Sequence, residues 1–144
     1  MGVYTFDPKN IVLILGGVTI NGWADGEFLT LSRYTDSYNI VSGADGIVSR
    51  AKTNDRTGSI SAKLAQTSPS NSYMSVLANI DERTGAGVFP VICKDLKGAS
   101  HYFSGTGWVK KPADVSYSKG EITDREWIID LAVLEYYTGG NIAN

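Results

Sequence analysis

The chain has 144 residues, 42% of them apolar and 19% charged, with a formal net charge of −2. That is length for one domain with a core of ordinary size, not two, and the charged share lies below the roughly 25% of an average soluble domain, a balance suited to a surface covered by further copies. It excludes a grip on a nucleic-acid backbone, which needs clustered Lys and Arg: the densest basic spot, Lys110-Lys111, runs straight into Pro112.

Residues 1–9 read as an extended arm. Tyr4 and Phe6 alternate with small or polar residues, and Asp7-Pro8 breaks any helix. The opening shows no basic start and no apolar stretch of signal-peptide length, and no run is long enough to span a bilayer. The expectation is a protein without a membrane anchor, made in a reducing cytoplasm.

Ile11 to Leu15 is a short apolar run closed by Gly16-Gly17, a strand and a tight turn from which Val18 to Ile20 return. Asn21-Gly22 and Asp25-Gly26 mark two further turns. Glu27 to Arg33 alternates with period two, Leu29 and Leu31 sharing a face.

Residues 34–56 carry few large apolar groups and much Ser, Asp, Asn and Gly, so a long surface loop is expected, with a turn at Asp45-Gly46. Loops of that length are usually functional or ordered by a partner. Thr57 to Ala65 alternates again, with Ile60, Ala62 and Leu64 on one face. The period then changes: Met74, Leu77, Ala78 and Asp81 follow helical spacing and Gly85 supplies a stop, which predicts a helix over 70–83.

Gly87 to Leu96 predicts a strand with Phe89, Val91 and Cys93 on one face, and His101 to Val109 another, ending at Lys110-Lys111-Pro112. The last element is ambiguous from its residues. Thr123 to Glu126 fits a helix capping box, yet Trp127, Ile129, Leu131 and Val133 alternate as a strand does. The pattern as a whole is one mainly β (α+β) domain over 1–144, a sandwich or partial barrel with one packed helix.

The chemistry-bearing residues are few. One cysteine, Cys93, allows no internal disulfide, and with the single histidine, His101, it gives too few soft ligands for zinc. Cys93 on an apolar strand face reads as a small buried hydrophobe, not as a nucleophile. Neither Gly58-Ser59 nor Ser104-Gly105 completes a nucleophile elbow, and Gly85-x-Gly87 and Gly105-x-Gly107 follow no strand-to-helix crossover that would cradle phosphate. No catalytic residue, metal ligand or cofactor is expected. A carboxylate pair assembled in space, as in a small hydrolase, is open to sequence reasoning alone.

The ordered strings Tyr4-Thr5-Phe6-Asp7-Pro8-Lys9-Asn10, Gly43-Ala44-Asp45-Gly46, Val48 to Gly58, Gln66 to Asn71, Thr84 to Gly87, Lys94-Asp95-Leu96, Lys111-Pro112, Arg125-Glu126-Trp127 and Gly139-Gly140-Asn141 span nearly the whole chain. In that order they resemble the tail-tube proteins of contractile-tailed bacteriophages, with the type VI secretion inner tube as a distant architectural likeness. The resemblance implies a β-sandwich-like protomer with a flanking helix. It implies homo-hexameric rings stacked into a tube, in which each subunit donates strands to a continuous barrel around a lumen that DNA transits without specific binding. The implied partners are copies of the chain itself, the tail sheath protein, and tail terminator and baseplate proteins. The implied place is the virion tail, assembled in the host bacterial cytoplasm. It also favours a strand over 125–136. Subunit contacts are expected at the 1–9 arm through Tyr4 and Phe6, and at the 34–56 loop through Tyr34, Tyr38, Arg50, Lys52, Asp55 and Arg56. The 137–144 tail, entered through Tyr136 and Tyr137, is the third expected contact. A monomeric β-sandwich binding module, such as one for carbohydrate, is the alternative.

Overall fold

The computed structural model describes residues 3–141. Strands β1 (Ile11–Leu15), β2 (Val18–Thr19), β3 (Leu29–Arg33), β4 (Tyr38–Ser42), β5 (Val48–Lys52) and β6 (Gly58–Leu64) precede the helix α1 (Ser70–Thr84). Strands β7 (Phe89–Asp95), β8 (His101–Lys111), β9 (Arg125–Leu131) and β10 (Glu135–Tyr137) follow it. A single 3-10 turn, Pro8–Asn10, leads into β1, with the Asp7 carboxylate accepting from the Lys9 amide.

One antiparallel sheet, ordered β2-β1-β7-β8-β9-β6-β3, holds the fold, and β10 pairs with β8. Side chains from both ends of that order meet in one cleft, Ile11 of β1 and Cys93 of β7 against Leu29 and Leu31 of β3. The sheet therefore curls on itself into an open barrel. The expected sandwich or partial barrel is realised as the latter.

The alternation read from the residues sets the buried face. Ile60, Ala62 and Leu64 of β6, Trp127, Ile129 and Leu131 of β9, Phe89, Val91 and Cys93 of β7, and Leu13 and Leu15 of β1 form one core. The helix adds Met74 and Ala78, one turn apart on a single face. It starts behind Ser68, whose hydroxyl accepts from the Ser70 amide, and stops at Gly85, which takes φ +71° with its amide on the Asp81 carbonyl at 2.8 Å. Asn71 ties the helix to the sheet: its side-chain oxygen accepts from the Trp127 indole at 2.9 Å, while its nitrogen donates to the Ala65 carbonyl.

Two expectations need correction. The 34–56 segment is not a loop: β4 and β5 form a hairpin closed by Ala44-Asp45-Gly46, with the Gly43 amide on the Ile47 carbonyl at 2.8 Å and Gly46 at φ +86°. A three-residue loop with a left-handed glycine is a standard hairpin closure. The 125–136 strand is two strands. β9 pairs with β8 as Leu131↔Gly107 and β10 resumes as Glu135↔Phe103, so four residues elapse on each side and the register is kept. Between them the chain turns inward. The Leu134 side chain is buried, its amide donates to the Arg56 carbonyl at 2.8 Å, and its carbonyl accepts from the Arg33 guanidinium at 2.8 Å. Strand, not helix, is the outcome for Trp127 to Leu131, because ladders to β6 on one side and β8 on the other, with a buried face, outweigh one local capping pattern.

Burial pushes the Cys93 thiol up to about 12. At about pH 8 its thiolate fraction is then on the order of one in ten thousand. A maleimide at that pH is expected to leave the folded chain unmodified and to label it fully in urea, read by intact mass. Rapid labelling of the folded chain would contradict the packing of β7.

Candidate assembly interface

The β4–β5 hairpin extends the β3–β6 pairing. Arg33 faces Gly58 in the sheet, the Tyr34 amide reaches the Thr57 carbonyl, the Thr53 amide reaches the Ser37 carbonyl, and Tyr38 faces Lys52 in the hairpin. The two chains thus run as one ribbon whose outer third leaves the main sheet. There β4 and β5 pair only with each other, and all ten of their residues are exposed. Ile40 is 79% exposed, Ile47 66%, Val48 63% and Val41 59%. An isolated two-stranded hairpin is marginal in water, and this one holds up large aliphatic groups with none of the described residues packed beneath them.

Pairing assigns its two faces. Tyr38, Ile40 and Val48 lie on one with Arg50 and Lys52, and the Arg50 guanidinium sits 4.2 Å from the Tyr38 ring centre. Asn39, Val41, Ser49 and Ala51 make an uncharged opposite face.

The expected contact residues divide into groups. Tyr38, Lys52, Asp55 and Arg56 surround one hollow at the hairpin base, with Arg33. Hydrogen bonds from the Thr57 hydroxyl and amide hold the Asp55 carboxyl below its ordinary value. Tyr136 lines the adjoining hollow with Asp36, and its ring meets Tyr102 edge-on. Tyr34 points elsewhere: its phenol donates to the Asp130 carboxylate, which together with partial burial raises its pKa from the ordinary value. Tyr137 stacks on His101. The tail beyond it, through Asn141, lies on its own chain, the Ala99 amide reaching the Gly140 carbonyl and the Gly139 amide the Ser100 hydroxyl. Residues 142–144 of the expected tail and 1–2 of the expected arm fall outside the described residues. Tyr4 and Phe6 are exposed, and Phe6 also lines a cleft of about 350 Å³ at the open seam of the barrel. That cleft is built from Ile11, Phe28, Leu29, Leu31, Cys93 and Tyr102, with Glu27, Lys94 and Asp95 as its charged members.

Sequence reasoning passed over Ile40, Val41, Ile47 and Val48. The signal was present: Tyr-x-Ile and Val-x-Arg-x-Lys alternate on either side of an Asp-Gly pair, a hairpin pattern. The seam cleft had no such signal, since its walls lie up to tens of residues apart in sequence.

The outer face of the sheet carries small hydroxyls. The rows Asp130–Ser59–Ser32 and Ile128–Ser61–Thr30 run across β9, β6 and β3, beside the Lys63–Glu126 pair at 3.7 Å. Among the described residues no group of three or more His, Cys, Asp or Glu side chains is placed to hold a metal ion.

Comparison with known proteins gives three findings. The family model described as "Bacteriophage PhiTE tail tube protein" matches residues 13–139. "Structural protein ORF10" of Pseudomonas phage KPP10 is 25% identical over 145 residues, covering 95% of this chain and 83% of that protein. Two solved structures are similar in fold at 10% identity. The anti-feeding prophage cap (the AFP tube terminating cap) has a TM-score of 0.64 over 94% of this chain and 92% of its own. The sheath/tube terminator of the PVC extracellular contractile injection system, in its extended state, has a TM-score of 0.65 over 94% and 98%.

Proposed function

The chain belongs to the family of the bacteriophage PhiTE tail tube protein, and on that premise we propose that copies of it close into hexameric rings that stack into a tail tube. Members of this family are structural tail proteins, not enzymes. The observation that carries the proposal is the hairpin of β4 and β5, exposed along its whole length while bearing Ile40, Val41, Ile47 and Val48. Taking such side chains out of water is worth about 1.5–3 kcal/mol each before the costs of association. A head-to-tail contact between unlike surfaces gives rings when it closes and filaments when it does not.

In this reading Tyr38, Ile40, Arg50 and Lys52 form the main contact. Asp55, Arg56 and Tyr136 flank it at the hairpin base, and the arm with Tyr4 and Phe6 adds to it. The tube stands in the virion tail inside the sheath, with terminator and baseplate proteins at its ends. The hydroxyl-lined outer face of β3, β6 and β9 suits a wall that DNA slides past, since it offers no cluster of cations to hold phosphate. A single capping ring is the second reading, favoured by the likeness in fold to a tube terminating cap and a sheath/tube terminator.

Negative-stain imaging of the purified chain separates them. Stacked rings with six-fold symmetry support the tube, isolated rings support the cap, and a monomer at high concentration contradicts both. Deleting residues 1–8 is expected to leave the melting temperature within a few degrees of wild type while shortening or abolishing stacks. A chain that unfolds on this deletion would place the arm in the core.

A further inference from the structure

Each copy carries two unmet needs. One is the hairpin, a two-stranded ribbon with an apolar and cationic face and, among the described residues, no third strand. The other is the seam of the barrel. There β3 ends the sheet order and, among the described residues, pairs only with β6. The Tyr34 amide and the Phe28 carbonyl bond toward β6, so by alternation the backbone groups of Leu29 and Leu31 face outward. The Tyr136 hydroxyl, 3.4 Å from the Leu31 carbonyl, covers part of that edge. Beside it lies the apolar cleft floored by Leu31 and Cys93.

We propose that the hairpin of one copy seats in the barrel seam of the next, with the face bearing Tyr38, Ile40 and Val48 over the cleft. A strand of the hairpin then runs beside the free edge of β3. This rests on the self-assembly reading above and names the surface that receives the hairpin. An open strand edge is a template for an added strand. The cleft holds about 350 Å³ of mostly apolar space, which takes side chains of the Ile40 and Tyr38 kind. Charge agrees: Arg50 and Lys52 flank the apolar side chains on the hairpin, while the cleft carries two carboxylates, Glu27 and Asp95, and one lysine, Lys94. Donor and acceptor surfaces are different parts of the chain, so the contact propagates from copy to copy instead of pairing two copies and stopping.

The test separates donor from acceptor. One variant has residues 38–52 replaced by Gly-Ser-Gly and keeps the seam. The other, Leu31→Arg, keeps the hairpin and blocks the seam, and Glu27→Arg, an exposed change, serves as the acceptor variant if Leu31→Arg fails to fold by circular dichroism. Tagged hairpin-less chain is expected to retain the untagged seam variant's hairpin on beads at least tenfold above either like-with-like pairing. Glu27→Arg in otherwise intact chains is expected to weaken assembly about tenfold, and Arg50→Glu with Lys52→Glu to restore part of the loss. Mixed pairs captured no better than like pairs, while wild type assembles, overturn the proposal. So does unchanged assembly without the hairpin, which would make the arm the occupant of the seam. A wild-type chain that never assembles overturns the assembly reading itself.

Discussion

Replacing residues 38–52 with a Gly-Ser-Gly turn leaves a folded, monomeric chain that forms no rings or tubes. The hairpin pairs with no strand of the main sheet and contributes nothing to the core, so the fold loses only the ten exposed residues of β4 and β5 and their turn. The melting temperature is expected to stay within a few degrees of wild-type monomer. Assembly loses the hairpin face that carries Tyr38, Ile40 and Val48, whose burial is worth about 1.5–3 kcal/mol per side chain before the costs of association, a large share of a micromolar contact of about 8 kcal/mol. Sedimentation velocity reads the loss directly. Assembly that continues unaltered would show the hairpin to be dispensable.

Trp127→Ala is the corresponding test of the fold. Trp127 is buried between α1 and the sheet, and its indole nitrogen donates to Asn71 at 2.9 Å. Truncation removes the largest side chain in the core and leaves the Asn71 oxygen without its donor. Such a change costs about 3–5 kcal/mol, or roughly 10–20 °C in melting temperature for a domain of this size. Trp127→Phe keeps most of the ring volume and loses the hydrogen bond, about 1–2 kcal/mol. Both belong on the hairpin-less monomer, because assembly would otherwise stabilise the folded state by mass action. Equal losses for the two variants would mean that the hydrogen bond, not packing, fixes the helix.

The strands that build the core were legible because their burial is written locally. Ile60, Ala62 and Leu64 alternate, as do Phe89, Val91 and Cys93, and each set faces inward as read. The helix was legible from the change of period after Pro69 and from Gly85, and it ends one residue later than read. The hairpin was misread as a loop because its composition is that of a surface. Ser, Asn, Arg and Lys are there because the ribbon meets water in the single chain, while its aliphatic residues alternate among them. The break between β9 and β10 has no local cause in sequence. Leu134 turns inward where the Arg33 guanidinium donates to its carbonyl and the Arg56 carbonyl accepts from its amide, partners roughly eighty to a hundred residues away in sequence. The seam cleft depends on how far the sheet curls, a property of the whole register and not of any segment.

Hydrogen exchange on hairpin amides tests the central claim most directly. In assembled particles, residues 38–42 and 48–52 are predicted to be protected to the level of β6, and in the Leu31→Arg monomer to exchange within seconds. Equally fast exchange in both states would show that the ribbon stays bare in the particle, and the account of how this chain assembles would be wrong.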